Sequence, residues 1–308
     1  MTLQQLEYVV ALADHGQFLK AAEACEVTQP TLSSMIQKLE EELGAKLFDR
    51  RSKPVVPTAV GRVVVEQARE LLSGARRLRE RVDEQQNAVS GEFRVAVLPT
   101  IAPYLLPRFL PEFSRKYPQV DLHISEMKTA DVKRALEKGD IDAAIVAQLA
   151  DLEEFCAETL FYEQYFVYSS QNSDLHSRDS VRTADLREVP LWLLDEGHCF
   201  RDQLVSFCHL KSARRSQRSY HLGSIETFMR IVESGMGATF IPELCTLQLS
   251  DEQKKLVRPF ALPVPTREIV LLTAKDFVRD SLKRLLVDEI RKSVPESMHR
   301  LSHAQKSI

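Results

Sequence analysis

The chain has 308 residues, 44% of them hydrophobic and 28% charged, with a formal net charge of -3. That length holds two or three domains with a well-buried core, and the charge excludes a uniformly basic coat, so any DNA contact must come from a local cluster of cations. No apolar run reaches membrane-span length, Met1 to Gln5 lacks a signal-peptide pattern, and the five cysteines (Cys25, Cys156, Cys199, Cys208, Cys245) are widely spaced; a cytoplasmic chain with no membrane partner and no structural disulfide framework is expected.

Residues 1 to 90 read as helical. Leu3, Leu6, Val9, Val10 and Leu12 recur at helical spacing, and Phe18, Ala21, Ala22 and Cys25 follow on a second, short helix. Thr28-Gln29-Pro30-Thr31 opens a third with a polar cap and a proline in the first turn. Leu32, Met35, Ile36 and Leu39 share one side of it, and Ser33, Ser34, Gln37 and Lys38 lie away from them. Lys46 to Pro57 reads as two short strands around a turn. A long helix then runs from Thr58 to about Asn87, striped by Val60, Val63, Val64, Ala68, Leu71, Leu72, Ala75, Leu78 and Val82. A small domain cannot cover that stripe, and pairing with a second copy is the simplest remedy. Gly16, Gly44, Gly61 and Gly74 are each expected near a turn or bend.

Ser90-Gly91 marks a boundary, after which strands alternate with helices. Phe93 to Leu98 reads as a strand, Pro103 to Arg115 as a helix, Val120 to Glu126 as a strand, Asp131 to Lys138 as a helix and Ile141 to Val146 as a strand. This order implies a parallel sheet covered on both faces. The alternation resumes from Tyr162 to about Pro242, and a strand at Arg267 to Leu272 and a helix at Asp280 to Lys292 return to the first of two α/β lobes. Ligands of such folds sit between the lobes. The polar segment from Ser297 is expected to be mobile.

A helix-turn-helix braces with one helix and reads the major groove with the next, which needs small polar and amide side chains on its outer side. Thr31, Ser33, Ser34 and Gln37, with Lys38 nearby, fit that need, and Arg50, Arg51 and Lys53 would grip phosphates from the wing. The plain alternative is a three-helix core with solvated polar faces. The runs Leu6-Glu7-Tyr8, Ala21-Ala22, Thr28 to Ser33, Leu39-Glu40, Leu43-Gly44, Leu47 to Arg50 and Thr58 to Gly61 resemble the LysR-type transcriptional regulators. That resemblance implies a winged helix-turn-helix over 1–58, with Thr28, Gln29 and Pro30 joining its DNA-facing set. A linker and dimerisation helix would cover 59–90. An α/β two-lobed effector domain resembling periplasmic binding proteins would cover 91–300, with lobe I at about 91–161 and 267–300 and lobe II at about 162–266. A tail, 301–308, remains. One departure is Gln37, where close relatives often carry a cation; it bears on which operator is read.

The second signal is Asp195 to His209. Gly197 breaks a strand, and Phe200, Leu204 and Phe207 recur at helical spacing, so Cys199 falls in the first turn of a helix. Unpaired N–H groups and the helix dipole favour an anionic sulfur there, with Arg201 and His198 adding positive charge. A thiolate attacks a peroxide O–O bond to give a sulfenic acid, with which the thiol of Cys208 can condense. Nine helical residues span about 13.5 Å at ~1.5 Å each, and a disulfide needs Cα atoms within roughly 7 Å, so joining the two sulfurs requires the helix to unwind. The plain alternative is two small buried hydrophobes. Gly197-His198-Cys199, Arg201-Asp202-Gln203 and Phe207-Cys208, with Leu98-Pro99-Thr100 and Pro103 to Pro107, resemble the peroxide-sensing branch of the LysR type. That resemblance implies a peroxidatic Cys199, a resolving Cys208, and peroxide binding by Thr100, Thr129, His198 and Arg267. From the residues alone, Thr100 and Thr129 read as helix caps. Cys25, Cys156 and Cys245 read as structural or incidental.

The expected protein is therefore a peroxide-responsive transcriptional activator rather than an enzyme, with no cofactor and no metal. Its partners would be double-stranded promoter DNA, other copies of itself as a dimer of dimers, RNA polymerase, hydrogen peroxide as the signal and a thiol reductant that resets it. Three rivals stand beside it. A LysR-type regulator could take a small metabolite between the lobes. His198-Cys199 and Cys208-His209 could hold zinc, although neither pair has the usual ligand gap. A thiol peroxidase would leave the first 90 residues unexplained.

Overall fold

The computed structural model describes residues 1–85, 89–149, 152–187, 189–195, 199–209 and 224–308, without the side chain of residue 83. It divides into two units, Met1–Ala88 and Val89–Ile308.

The first unit opens with α1 (Leu3–His15), α2 (Phe18–Ala24) and α3 (Gln29–Leu43). A capping box between Thr2 and Gln5 starts α1, and Gly16 and Gly44 stop α1 and α3 in the left-handed conformation at φ 63° and 64°. The strands β1 (Phe48–Asp49) and β2 (Val56–Pro57) pair antiparallel as a small wing. The long helix α4 (Ala59–Gln85) follows. Leu6, Val9, Leu12, Leu32, Ile36, Leu39 and Leu47 form the core. Gly61 is not at a turn: it lies inside α4, where a Cβ would stand 1.8 Å from the Leu47 carbonyl oxygen. Glycine alone lets the two backbones approach that closely. The α4 stripe divides into two edges. Val65 and Ala68 are buried on the core, with Val64 and Leu72 packed against it. Val60, Val63, Leu71, Leu78 and Val82 are exposed.

The second unit runs β3 (Gly91–Val97), α5 (Ala102–Lys116), β4 (Val120–Glu126), α6 (Thr129–Lys138), β5 (Ala143–Ala147), β6 (Cys156–Ser169), β7 (Leu191–Trp192), α7 (Cys199–Phe207), α8 (Ile225–Glu233), β8 (Ala238–Pro242), α9 (Glu243–Thr246), α10 (Asp251–Lys254), β9 (Val257–Pro259), β10 (Val264–Thr273), α11 (Asp280–Ser293) and β11 (Gln305–Ser307). Strand order is β4-β3-β5-β10-β6-β8-β7. The expected parallel sheet holds for β4, β3 and β5. The returning strand β10, whose direction the sequence left open, is antiparallel to both β5 and β6. One long strand links the lobes: β6 pairs with β10 through Gln164, then with β8 from Tyr165 onward.

The segment after Ser297 corrects the expectation of a mobile tail. Met298 is buried, and β11 pairs parallel with β10. The Ile308 N–H donates to the Thr266 carbonyl at 3.0 Å. A polar sequence can still supply an edge strand, because the ladder bonds come from the backbone.

Candidate functional site

Two sites take shape, one in each unit. In the first, Thr28 caps α3 through its side chain and shares a 2.8 Å hydroxyl–hydroxyl hydrogen bond with Thr31. Gln29, Pro30, Thr31, Ser34, Gln37 and Lys38 are exposed and Ser33 is half-buried. The Gln37 amide nitrogen donates to Glu41 at 2.9 Å. Arg51 and Lys53 are exposed on the wing. Arg50 is not a purely phosphate-facing cation: its guanidinium lies 3.3 Å from Glu40 and 5.2 Å from the Phe18 ring centroid. Glu40 is the hidden strut of this unit. Only 2% exposed, it accepts the Leu47 N–H at 2.9 Å and the Lys46 ammonium at 2.9 Å. Burial by itself would raise its pKa; Lys46, the Leu47 amide and Arg50 together bring it below the ordinary carboxylate value.

In the second unit, Cys199 is the first residue of α7, and Cys208 directly follows its last turn, so the two thiols stand at opposite ends of one helix. Both are buried and unbonded. Leu204 closes α7 onto Cys208 with a 2.9 Å backbone bond, and His209 then takes a left-handed φ of 51°. Such a φ is uncommon for a residue with a Cβ and marks a strained stop.

Arg267 is the centre of the thiol site. It projects from β10, is fully buried, and its Nε donates to Glu163 at 2.9 Å. Its other two nitrogens donate to the Thr100 hydroxyl at 3.1 Å and the Thr100 carbonyl at 3.0 Å. Its carbon lies 5.0 Å from the Phe200 ring centroid. Burial works against the charge, and Glu163 outweighs it, so the guanidinium stays protonated. A charge this deep requires such a partner.

Cys199 carries a correction. Burial, the largest influence, pushes its pKa above the ordinary thiol value; Arg267, the Thr129 hydroxyl and the Phe200 N–H all pull the other way and offset only part of it. The helix start therefore assists the thiolate without making it the resting form. Arg201 is paired with Asp202 at 3.2 Å, and Arg267 is a buried cation that acts on the sulfur. Burial likewise lifts Cys208 to about 12.

The expected peroxide-binding residues separate. Thr129 begins α6, and its buried hydroxyl finds no nitrogen or oxygen partner among the described residues while it acts on the Cys199 sulfur. Thr100 is engaged by Arg267. Neither caps its helix; Lys128 and Ile101 hold the cap positions. His198 lies outside the described residues. Among those residues no cluster of three His, Cys, Asp or Glu side chains is arranged to hold a metal. Cys25 and Cys245 both have pKa values raised chiefly by burial, and Cys156 is exposed.

Sequence reasoning did not find Glu163 or Tyr165, and it named Gln203 only within a motif, without a role. The Tyr165 hydroxyl donates to the Gln203 amide oxygen at 2.7 Å, and the Gln203 amide nitrogen donates to the Ile308 main-chain oxygen at 2.6 Å. The middle of α7 is thus tied to β6 on one side and to the last residue after β11 on the other. No local signal marked Glu163 and Arg267 as a buried pair, since Glu158 and Gln164 share β6 with Glu163, and Glu268 adjoins Arg267 in β10.

Comparison with known proteins places these features in context. Residues 3–62 match the family model "Bacterial regulatory helix-turn-helix protein, lysR family", and residues 86–295 match "LysR substrate binding domain". The chain is 35% identical over 302 residues to a hydrogen peroxide-inducible genes activator of Dickeya chrysanthemi, covering 98% of this chain and 99% of that protein. It is similar to full-length OxyR C199D from Pseudomonas aeruginosa, with 34% identity, a TM-score of 0.76, and coverage of 94% of this chain and 98% of that one. OxyR from Porphyromonas gingivalis shows 46% identity and a TM-score of 0.67, over 71% of this chain and 99% of that one.

Proposed function

Because the chain belongs to the LysR family of bacterial transcriptional regulators, we propose that it senses hydrogen peroxide and converts the signal into altered promoter contacts through a reversible Cys199–Cys208 disulfide. The observation that carries this reading is the placement of two buried thiols at the two ends of one helix, with a buried guanidinium and an otherwise unpartnered hydroxyl acting on the first. The similarity to peroxide-inducible activators over nearly the whole chain supports it.

In the first step the Cys199 sulfur attacks one peroxide oxygen. An S–O bond forms, the O–O bond breaks, and the thiol proton leaves with the departing oxygen as water. Arg267, the Thr129 hydroxyl and the Phe200 N–H stabilise the negative charge on sulfur as the thiol gives up its proton for the attack. In the second step the Cys208 sulfur displaces the sulfenic oxygen as a second water, and the S–S bond forms. That bond is incompatible with an intact α7, so oxidation unwinds the helix. A thiol reductant supplies two electrons to restore both thiols.

On the DNA side, α3 enters the major groove and the wing cations Arg51 and Lys53 contact phosphates. Two copies pair through the exposed edge of α4, and the family resemblance extends this to a dimer of dimers that contacts RNA polymerase in the cytoplasm. The test combines mass mapping of thiols before and after a brief peroxide pulse with footprinting on promoter DNA. A Cys199–Cys208 linked peptide together with a changed footprint is expected, and Cys199→Ser abolishes both. A footprint that changes while both thiols remain free, or that still changes in Cys199→Ser, overturns the reading in favour of a metabolite-responsive regulator.

A further inference from the structure

Pro30, Ser34, Gln37 and Glu41 follow one another at helical spacing of three and four residues, and all four are exposed. An acidic side chain on this face is unfavourable for approach to phosphates, and Glu41 is coupled to Gln37 by the 2.9 Å bond from Nε2 to Oε1. The chemistry of that bond fixes a direction. A carboxylate only accepts hydrogen bonds, so the nitrogen of the Gln37 amide must face Glu41 and its oxygen must face away. The amide is planar and has a second N–H. With the N–H trans to the carbonyl held by Glu41, the carbonyl oxygen and the N–H beside it are left as one acceptor and one donor.

That pair complements the major-groove edge of adenine, where N6 donates and N7 accepts. Guanine offers two acceptors there, which suit a cation and leave the amide oxygen without a partner. From this geometry we infer that Gln37, oriented by Glu41, specifies an A·T pair in each half of the operator, with Glu41 acting as a positioning residue that touches no base. The inference rests on the DNA-binding reading of α3. An i,i+4 pair that merely steadies the helix would stabilise it slightly and leave base preferences unchanged.

The experiment is selection of bound duplexes from a randomised DNA library by the full chain and by Gln37→Ala, Glu41→Ala and Glu41→Gln. The native chain selects a two-fold site with adenine at one fixed position in each half. Gln37→Ala lowers the preference at that position about tenfold and leaves the other positions unchanged. Glu41→Ala, which frees the amide to rotate, lowers it about threefold at the same position. Glu41→Gln still offers an acceptor oxygen, so it retains the preference while binding all DNA more tightly through loss of the negative charge. Unchanged preferences in Gln37→Ala or Glu41→Ala, or a native choice of guanine there, overturn the inference while leaving DNA binding intact. A native chain that selects no sequence at all overturns the DNA-reading assignment beneath it, and this inference with it.

Discussion

Thr31, Ser34, Gln37 and Lys38 stand exposed on a single helix, whereas Cys199, Thr100, Glu163 and Arg267 are buried and come from four separate stretches of the effector unit. A surface that reads DNA must be formed and open before its partner arrives, so a local run of residues on a capped helix suffices. A thiol that answers one small oxidant is instead enclosed, and its enclosure is assembled by the whole fold. Damage to the first kind of site costs recognition and little stability; damage to the second costs stability and chemistry together.

The largest test of that contrast is Arg267→Ala. It leaves Glu163 buried without its cation, so the effector unit loses about 3–5 kcal/mol by thermal unfolding. Amide exchange in residues 1–85 stays at the native level. Arg267→Lys keeps the charge and recovers part of the Cys199 alkylation rate, which separates electrostatics from loss of fold. Equal effects on both units would break the comparison.

Gly61→Ala is the reciprocal case. A methyl group placed against the Leu47 carbonyl forces the wing away from α4, at about 1–3 kcal/mol to the first unit. DNA affinity is expected to fall, and peroxide titration of the Cys199 thiol is expected to be unchanged.

A finer test concerns the ties on α7. Tyr165→Phe removes the 2.7 Å bond to Gln203 and preserves the ring beside Phe200. The loss of about 0.5–1.5 kcal/mol of hydrogen bonding makes α7 easier to open, so the step from sulfenic acid to disulfide runs about threefold faster in rapid-quench mass mapping. A slower or unchanged step would show that helix opening does not limit disulfide formation.

The smallest effect is a pH dependence in the DNA-reading unit. Glu40 sits below its ordinary value of 4.5, so the stability it lends is complete above that value and is lost as the pH falls through its lowered one. Amide protection over residues 40–50, corrected for intrinsic exchange, should fall in the native chain as the pH drops below the ordinary value of 4.5. Glu40→Gln, already lacking the charge, should show faster exchange at neutral pH and no further step in acid.

Much of the reading unit was legible because its instructions are local. The Thr28 cap, Pro30, the outward Ser34 and Gln37 and the apolar side of Leu32, Ile36 and Leu39 are readable within one helix. The strand and helix positions from Phe93 to Val146 and from Arg267 to Lys292 were also legible from periodicity, as was the helical start at Cys199. The reversed direction of β10, the pairing of β11 and the place of Glu163 were not, since each depends on which distant segments meet.

From sequence alone, the order of elements, the change of pattern near residue 90, the polar outer side of α3 and the helical separation of Cys199 from Cys208 followed from propensity and period. Only the tertiary structure decided that Arg267 acts on the thiol, that burial outweighs the helix start in setting the Cys199 pKa, and that the final residues bind α7 instead of hanging free. The physical reason is that desolvation and pairing depend on what surrounds a group in space, and those neighbours come from positions as far apart as 100, 163, 199, 267 and 308.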